Sequence, residues 1–315
     1  MVNKKSHIFI AGHKGLVGAS IYNRLKQSGY KNLIIVDKKK LDLTDEREVI
    51  NYFRKKKIDY MIMAAARVGG IMANKTYKAD FYLENCSIQN NLLKLAVIKK
   101  IKRTVFLGTS CIYPKYCKTP IKEEYLLSGR LEKTNETYAL AKIGGIKLSE
   151  ALFKQQGLDI VCLMPTNLYG TNDKFGSFAS HVIPGMISKI IKAKKTNKKT
   201  VKLLGTGKPL REFLYVDDLA DAIYLIINLS KQKIKKVSKG EFPMFNVGSG
   251  KNISIKNLSY LIKKKVGFKG KVLFDRLSPD GTMKKNLDSS KIRKFGWNPK
   301  INLDKGLSEV IKLFL

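Results

Sequence analysis

A short apolar run, His7-Ile-Phe-Ile-Ala11, leads straight into Gly12-His13-Lys14-Gly15-Leu16-Val17-Gly18 and then into a helical pattern lasting to Ser28. Strand, glycine-rich turn and helix in immediate succession leave few folds open. Glycines let the backbone turn tightly and approach a bound group closely, and a helix that begins there aims unpaired amides at that group. A pyrophosphate suits such a place, so the stretch predicts a dinucleotide site. The spacing is G-x-x-G-x-x-G rather than G-x-G-x-x-G, in the strand-to-helix context the chemistry requires.

The units that follow keep the same alternation. A second strand over 33–36 ends at Asp37, followed by Lys38, Lys39 and Lys40. An acid there would take the ribose hydroxyls of NAD, and a basic residue such as Lys38 the 2′-phosphate of NADP; both readings stand on the residues alone. A helix starts after Asp42, with Thr44 or Asp45 as its N-cap. Further strands are expected over 60–64, 104–107 and 159–164, and a long helix over 80–99. Alternating β and α units of this length predict an α/β fold with a Rossmann-type doubly wound parallel sheet. Open parallel sheets bind ligands at the carboxyl ends of their strands. Thr109, Ser110 and Cys111 therefore fall where a substrate would lie.

Tyr138 and Lys142 are four apart, which puts them on one face of a helix, one turn from each other. A phenol with a reference pKa of about 10 exchanges protons poorly near neutrality unless a cation helps it. Lysine one turn away can supply that charge and also hold a ribose hydroxyl. The pair suits reduction of a ketone or oxidation of an alcohol.

The second half is less regular. Residues 171–180 read as a polar loop, 181–195 as a helix, 201–204 as a strand, and Gly205 to Pro209 as a turn. Arg211 follows, either as a bidentate phosphate ligand or as an ion-pair partner of Glu212, Asp217 or Asp218. A helix over 216–228 returns to the first domain. Asp280, Gly281, Thr282 and Lys284 reach a sugar or diphosphate, or form a surface turn. The expected division is a dinucleotide-binding domain over 1–169, with 212–246 returning to it. A smaller C-terminal α/β substrate domain is expected to take 170–211 and 247–315.

Composition excludes more than it identifies. The 315 residues carry a formal charge of +36, but only nine of the 61 basic residues are Arg, and the lysines are scattered along the whole chain. No helix-turn-helix, zinc or RNA-module signature accompanies them, so no nucleic-acid partner is expected, while an anionic substrate would be attracted. No apolar run is long enough for a membrane helix. The start of the chain shows no signal-peptide pattern, and a cytoplasmic protein is expected. Cys86, Cys111, Cys117 and Cys162 form no C-x-x-C pair, so neither a zinc site nor a disulfide framework is indicated.

The glycine turn, the hydroxyl residue after the fourth strand and Tyr138-x-x-x-Lys142 together resemble the extended short-chain dehydrogenase/reductase family, over nearly the whole chain. Further stretches narrow the likeness: 108–114 (GTSCIYP), 165–170 (PTNLYG), 181–184 (HVIP), 211–218 (REFLYVDD), 245–250 (FNVGSG) and 279–282 (PDGT). They are similar to members that epimerise C3 and C5 of a GDP-linked 4-keto-6-deoxy sugar and then reduce C4 with NADP(H). A 4-reductase or epimerase of another nucleotide-linked 4-keto sugar, such as a 6-deoxy-heptose, is the alternative.

The resemblance implies roles. Tyr138 donates a proton at C4, Lys142 lowers its pKa, Thr109 holds the carbonyl oxygen, and Cys111 and His181 exchange protons at the ring carbons. Cofactor contacts are implied for Gly12 to Gly18, Lys38, Leu107, Gly108, Ser110, Lys142, Pro165, Asn167, Leu168 and His181. Substrate contacts are implied for Lys189, Leu204, Arg211 and Asp280. Three positions depart from the family pattern. Thr109 stands for a serine, Lys189 for a phosphate-binding arginine, and Leu204 for an aromatic beside the base. The family also implies a homodimer through the helices at 80–99 and 138–156.

Overall fold

The computed structural model describes residues 2–176, 180–277 and 280–314. Residues 177–179 of the expected loop and Pro279 of the PDGT stretch lie outside the described residues.

Six parallel strands form the main sheet: β1 (Ile8–Ala11), β2 (Leu33–Ile34), β3 (Tyr60–Met63), β4 (Arg103–Leu107), β5 (Ile160–Pro165) and β9 (Met244–Val247). Their order is β2-β1-β3-β4-β5-β9. The chain winds outward from β1 in one direction to β2, then crosses back to β3 and continues the other way. This reversal opens a crevice at the carboxyl ends of β1 and β3, beside the glycine turn. The helices of this half are α1 (Leu16–Gln27), α2 (Glu46–Phe53), α3 (Ile71–Thr76), α4 (Lys78–Ile98) and α5 (Glu136–Gln156).

A parallel sheet covered on both faces needs apolar residues at consecutive positions. In β1, Ile8 and Ile10 face a core shared with Ile21 and Leu25 of α1 and with Leu219, Ile223 and Ile226 of α7 (Val216–Asn228). Phe9 and Ala11 face the opposite core, with Phe53 of α2, Leu92 and Leu95 of α4, and Ile143 and Ile146 of α5. Every residue of β1, β4 and β5 is buried. Arg24 of α1 holds Asp221 of α7 at 2.5 Å, and Ser20 donates to Asp217 at 2.5 Å.

The remaining strands are β6 (Asn167–Tyr169), β7 (Thr200–Leu204), β8 (Leu210–Tyr215), β10 (Asn252–Ser254), β11 (Lys271–Asp275) and β12 (Lys284–Lys285). Strand β8 pairs with β6, β10 and β12, and β7 with β11. A third core joins Ile187 and Ile190 of α6 (Val182–Lys195), Leu258 and Ile262 of α9 (Ile255–Val266), and Leu307 and Val310 of α11 (Leu303–Lys312).

Several expectations shift at their edges. Strand β2 is two residues long, because it borders the sheet and Val36 no longer pairs. Asp45, rather than Thr44, caps α2, accepting from the Glu48 amide at 2.9 Å. Helix α3 and the strands β8 and β12 carry no periodicity strong enough to have been foreseen.

The glycine turn is built by contact rather than by flexibility. Gly12 has φ +83°, and a Cβ there would meet the Ala65 backbone at 2.7 Å. A Cβ on Gly18 would lie 2.1 Å from the Gly12 carbonyl oxygen. A Cβ on Gly15 would find only that oxygen, at 3.4 Å, and Gly15 is exposed. Gly18→Ala is therefore expected to cost about 1–3 kcal/mol by overpacking, and Gly15→Ala less than about 1 kcal/mol. Urea unfolding of both variants checks this; equal losses would contradict the packing argument.

Candidate active site

The site is assembled at the carboxyl end of β4. After Leu107 the chain makes a short 3-10 turn over Ser110–Ile112, and the Thr109 hydroxyl caps it by accepting from the Cys111 amide at 3.2 Å. Ser110 is buried and Cys111 half-buried. Helix α5 lies alongside and brings Tyr138 and Lys142 to this turn.

Two features fix the height of α5. The Gln89 amide of α4 donates to the Ala141 carbonyl at 2.6 Å, and a Cβ on Gly145 would lie 2.5 Å from the Gln89 side chain. The two helices pack this closely because glycine stands at 145. Phe81 of α4 meets the Tyr138 ring edge-on, with centroids 6.1 Å apart. The buried Lys142 Nζ donates to the Leu107 carbonyl at 3.0 Å, joining α5 to the end of β4.

The electrostatics separate the two groups. Burial pushes the Tyr138 phenol well up, the Cys111 sulfur beside it pushes the same way, and a bond to the Thr109 hydroxyl pulls it partly back. The phenol stays protonated at neutral pH. Burial lowers the Lys142 ammonium to about 8. The Lys142 ammonium donates to the Leu107 carbonyl. In this arrangement burial outweighs any lowering and leaves Tyr138 poised as a proton donor.

Arg211 sits in β8, and burial lowers its guanidinium while Cys111, Asp280 and Glu132 support its charge. This puts Cys111 within electrostatic reach of both Tyr138 and Arg211. The ion pairs considered for Arg211 do not form. In a strand Glu212 faces away from its neighbour, and its carboxylate accepts from the amides of Gly250 at 2.6 Å and Leu287 at 2.8 Å. Asp217 takes Ser20, and Asp218 accepts from the amides of Lys300 and Ile301. The Arg211 guanidinium instead donates to the carbonyls of Leu210 at 3.0 Å and Asp280 at 3.5 Å. The Asp280 carboxylate turns the other way, onto the Thr206 amide at 2.7 Å and hydroxyl at 2.6 Å. It staples the turn before β8.

A dinucleotide has a fitting place nearby. The first turn of α1 has no side-chain cap, and the exposed Gly15 leaves its amides open. Leu16 and Val17 are half-buried beneath it. Asp37, past the end of β2, is held by Lys14 at 2.8 Å and His13 at 3.3 Å. The Lys14 bond keeps this carboxyl below its usual range. Lys38 is exposed beside it. Leu107 and Gly108 are buried at the end of β4, and Pro165 at the end of β5. Asn167 donates to the Glu212 carbonyl at 3.0 Å, and Leu168 packs on the α1/α7 core.

His181 precedes α6 without capping it, and its Nδ1 lies 3.8 Å from Asp173. Lys189 is exposed on α6, and Leu204 is exposed at the end of β7. No contact between these two and the Tyr138 cluster occurs among the described residues. Three contributors escape sequence reasoning: Phe81, Asp173, and Asn135, whose buried Oδ1 at the start of α5 has no partner. A lone Phe or Asn carries no local signal; Asp173 is visible only as the first acid after the 165–170 stretch.

Comparison with known proteins adds the wider context. The model of the NAD dependent epimerase/dehydratase family matches residues 8–248. The chain is 45% identical over 315 residues to GDP-L-fucose synthase 1 of Arabidopsis thaliana, covering 100% of this chain and 95% of the relative. The fold superposes with a TM-score of 0.93 and 34% identity on a GDP-6-OMe-4-keto-L-xylo-heptose reductase of Campylobacter jejuni, covering 99% and 98% of the two chains. A GDP-mannoheptose C4 reductase from the same organism, solved with NADP bound, gives a TM-score of 0.88 at 34% identity, covering 100% and 99%.

The buried ammonium at Lys142 has a measurable cost. Its pKa is about 8 folded and about 10.4 unfolded. Below pH 8 both states hold the proton and the cost of burying the charge is full. Between about pH 8 and 10.4 the unfolded chain binds more protons, so stability rises with pH. Lys142→Met, which keeps the volume and removes the charge, is expected to stabilise the protein by about 1–3 kcal/mol at pH 7. The gain is expected to shrink as pH rises through that window. Thermal unfolding from pH 6 to 10 reads both effects, and a destabilised Lys142→Met at pH 7 would contradict them.

Proposed function

The chain belongs to the NAD dependent epimerase/dehydratase family, and we propose that it converts GDP-4-keto-6-deoxy-D-mannose to GDP-L-fucose by epimerisation at C3 and C5 and reduction at C4. The observation that carries this reading is the joining of Thr109, Cys111 and Tyr138 at one strand end, with Arg211 in electrostatic reach. Full-length likeness to a GDP-L-fucose synthase supports the same substrate.

The chemistry follows from the groups. The C4 carbonyl acidifies the hydrogens at C3 and C5. Inverting each carbon needs a base on one face and an acid on the other. Cys111 and His181 are the two groups proposed for these transfers, a thiol and an imidazole, both able to carry a proton to or from carbon. NADPH, when bound, supplies the hydride that reduces C4. Tyr138, kept protonated by burial, gives its proton to the C4 oxygen, and Thr109 orients that oxygen. Lys142 would hold the nicotinamide ribose. The turn from Gly12 to Gly18 would cradle the pyrophosphate, and Lys38 would meet the 2′-phosphate. Asp37 would repel that phosphate were its charge not already offset by Lys14. Arg211 and Lys189 would take the GDP diphosphate, with Leu204 against the base. On this reading residues 1–169 with 212–246 form the cofactor domain and the rest the nucleotide-sugar domain.

A second reading, a 4-reductase acting on a GDP-linked heptose, is favoured by the structural likeness to the two Campylobacter jejuni reductases. The two readings differ at the ring carbons. In deuterated water, with NADPH and GDP-4-keto-6-deoxymannose, the product is expected to carry deuterium at C3 and C5. Cys111→Ser is expected to slow that incorporation about 10²-fold or more. NMR of the product decides it: reduction without ring deuterium would establish the simple reductase.

A homodimer is also proposed. Tyr82 and Leu83 of α4 and Leu140 of α5 leave apolar surface exposed, Leu83 at 62%. Two copies of the α4/α5 face would bury it. Leu83→Asp is expected to shift the protein from dimer to monomer in sedimentation; a wild-type monomer would end the proposal.

A further inference from the structure

His181 has a neighbour that the chemistry so far leaves unused. Asp173 lies in the loop after β6, and its side chain is only 5% exposed. One oxygen, Oδ1, accepts from the Lys174 amide at 2.8 Å and stands 3.8 Å from Nδ1 of His181. The other, Oδ2, is buried and has no hydrogen-bond partner among the described residues. A carboxylate oxygen taken out of water without a partner is destabilising. The carboxylate therefore keeps accepting capacity beside the His181 ring, whose Nδ1 lies nearest its Oδ1.

We propose that Asp173 is the positioning residue of His181: it accepts from Nδ1–H, fixes that tautomer and leaves Nε2 to exchange the proton with the sugar ring. This rests on the epimerase reading above. The neutral imidazole has two tautomers, and only one presents a bare nitrogen to the substrate. At 3.8 Å the imidazole and the carboxylate are neighbours that have not closed to a hydrogen bond. Such bonds in catalytic sites often tighten only when substrate binds. The proton transfer itself balances within His181. Nε2 takes the ring-carbon proton and leaves an enolate on the sugar, or returns a proton to that enolate. Asp173 keeps its charge throughout.

The arrangement also answers a geometric need. His181 stands immediately before α6 and makes no cap bond to it. Nothing in the helix itself orients the ring, and its side chain is 42% exposed. A free ring would sample several rotamers. A buried anchor on the preceding loop restricts it to one.

The experiment uses the full chain with NADPH and GDP-4-keto-6-deoxymannose in deuterated water. Asp173→Asn keeps the size and one acceptor oxygen while removing the charge. Deuterium incorporation at the ring carbon served by His181 is expected to fall at least about tenfold, with the NADPH dissociation constant unchanged within about twofold. In a His181→Asn background the same substitution is expected to add no further loss, because a residue acting through His181 has nothing left to act on. ¹⁵N NMR of the wild-type imidazole is expected to show the proton on Nδ1. Wild-type incorporation in Asp173→Asn, weakened NADPH binding, an added loss in the double variant, or a proton on Nε2 would each overturn the proposal. Absence of ring deuterium in the wild type would instead sink the epimerase reading, a separate and recognisable outcome.

Discussion

The bond from the Lys142 ammonium to the Leu107 carbonyl ties the helix that carries the phenol to the strand end that carries Thr109 and Cys111. A charged amine buried to this extent is expensive, and a methionine would pack there at less cost. The chain keeps the amine, held down to about 8 by burial, where it can gain or lose a proton near working pH. Stability given up at one residue is matched to a chemical need at the same residue, which is the usual relation between strain and function. The other supports of α5 serve the same registration. Gln89 bonds Ala141, the small Gly145 admits α4 closely, and Phe81 walls the phenol.

The first half of the fold was legible because each of its signals has a single physical cause. A strand buried on both faces must be apolar at consecutive positions, and residues 8–11 and 160–165 are. A glycine that stands where a Cβ would strike backbone cannot be anything else, and Gly12 and Gly18 are such positions. The helix over Val216–Asn228 was legible for the same reason, through its apolar stripe on the core of α1. The Tyr138–Lys142 spacing placed both residues on one helix face, but not what each would touch. That Lys142 would meet the Leu107 carbonyl depends on how close β4 comes, which no local pattern encodes.

The second half was less legible because its short strands are stabilised by partners far away in the chain. Strand β8 pairs with segments near residues 167, 252 and 284, so its sequence need not alternate on its own account. Arg211 shows the consequence. From sequence it had three acids within reach. In the fold Glu212 points to the other side and binds two backbone amides, while Asp217 and Asp218 serve α1 and the segment after Trp297. With its neighbours committed elsewhere, the guanidinium keeps donors free for an external anion. Asp280 shows the opposite case, a polar residue in a turn whose carboxylate is wholly occupied by Thr206. Its contribution to a ligand would come through its carbonyl or through the shape of the turn.

Charge distribution points the same way as the site. Between Asp173 and Glu212 the sequence has no acid, and it has none again between Glu241 and Asp275. These stretches contain α6 and α9, which share the third core with β7 and β8. These two stretches therefore carry positive charge without acidic residues of their own. Screening limits this field to about 8–10 Å at ordinary salt, so it cannot choose among anionic ligands; it concentrates all of them near the cleft. Selection must then come from short-range contacts. If Lys189 and Leu204 contact the nucleotide as proposed, they would weaken two of these, since an ammonium lacks the planar fork of arginine and leucine offers no ring to stack on a base. A chain with this field and these substitutions draws GDP-sugars by charge and discriminates among them at the sugar. There, on the proposed roles, the positions of Cys111, Tyr138 and His181 would decide which carbons can exchange a proton.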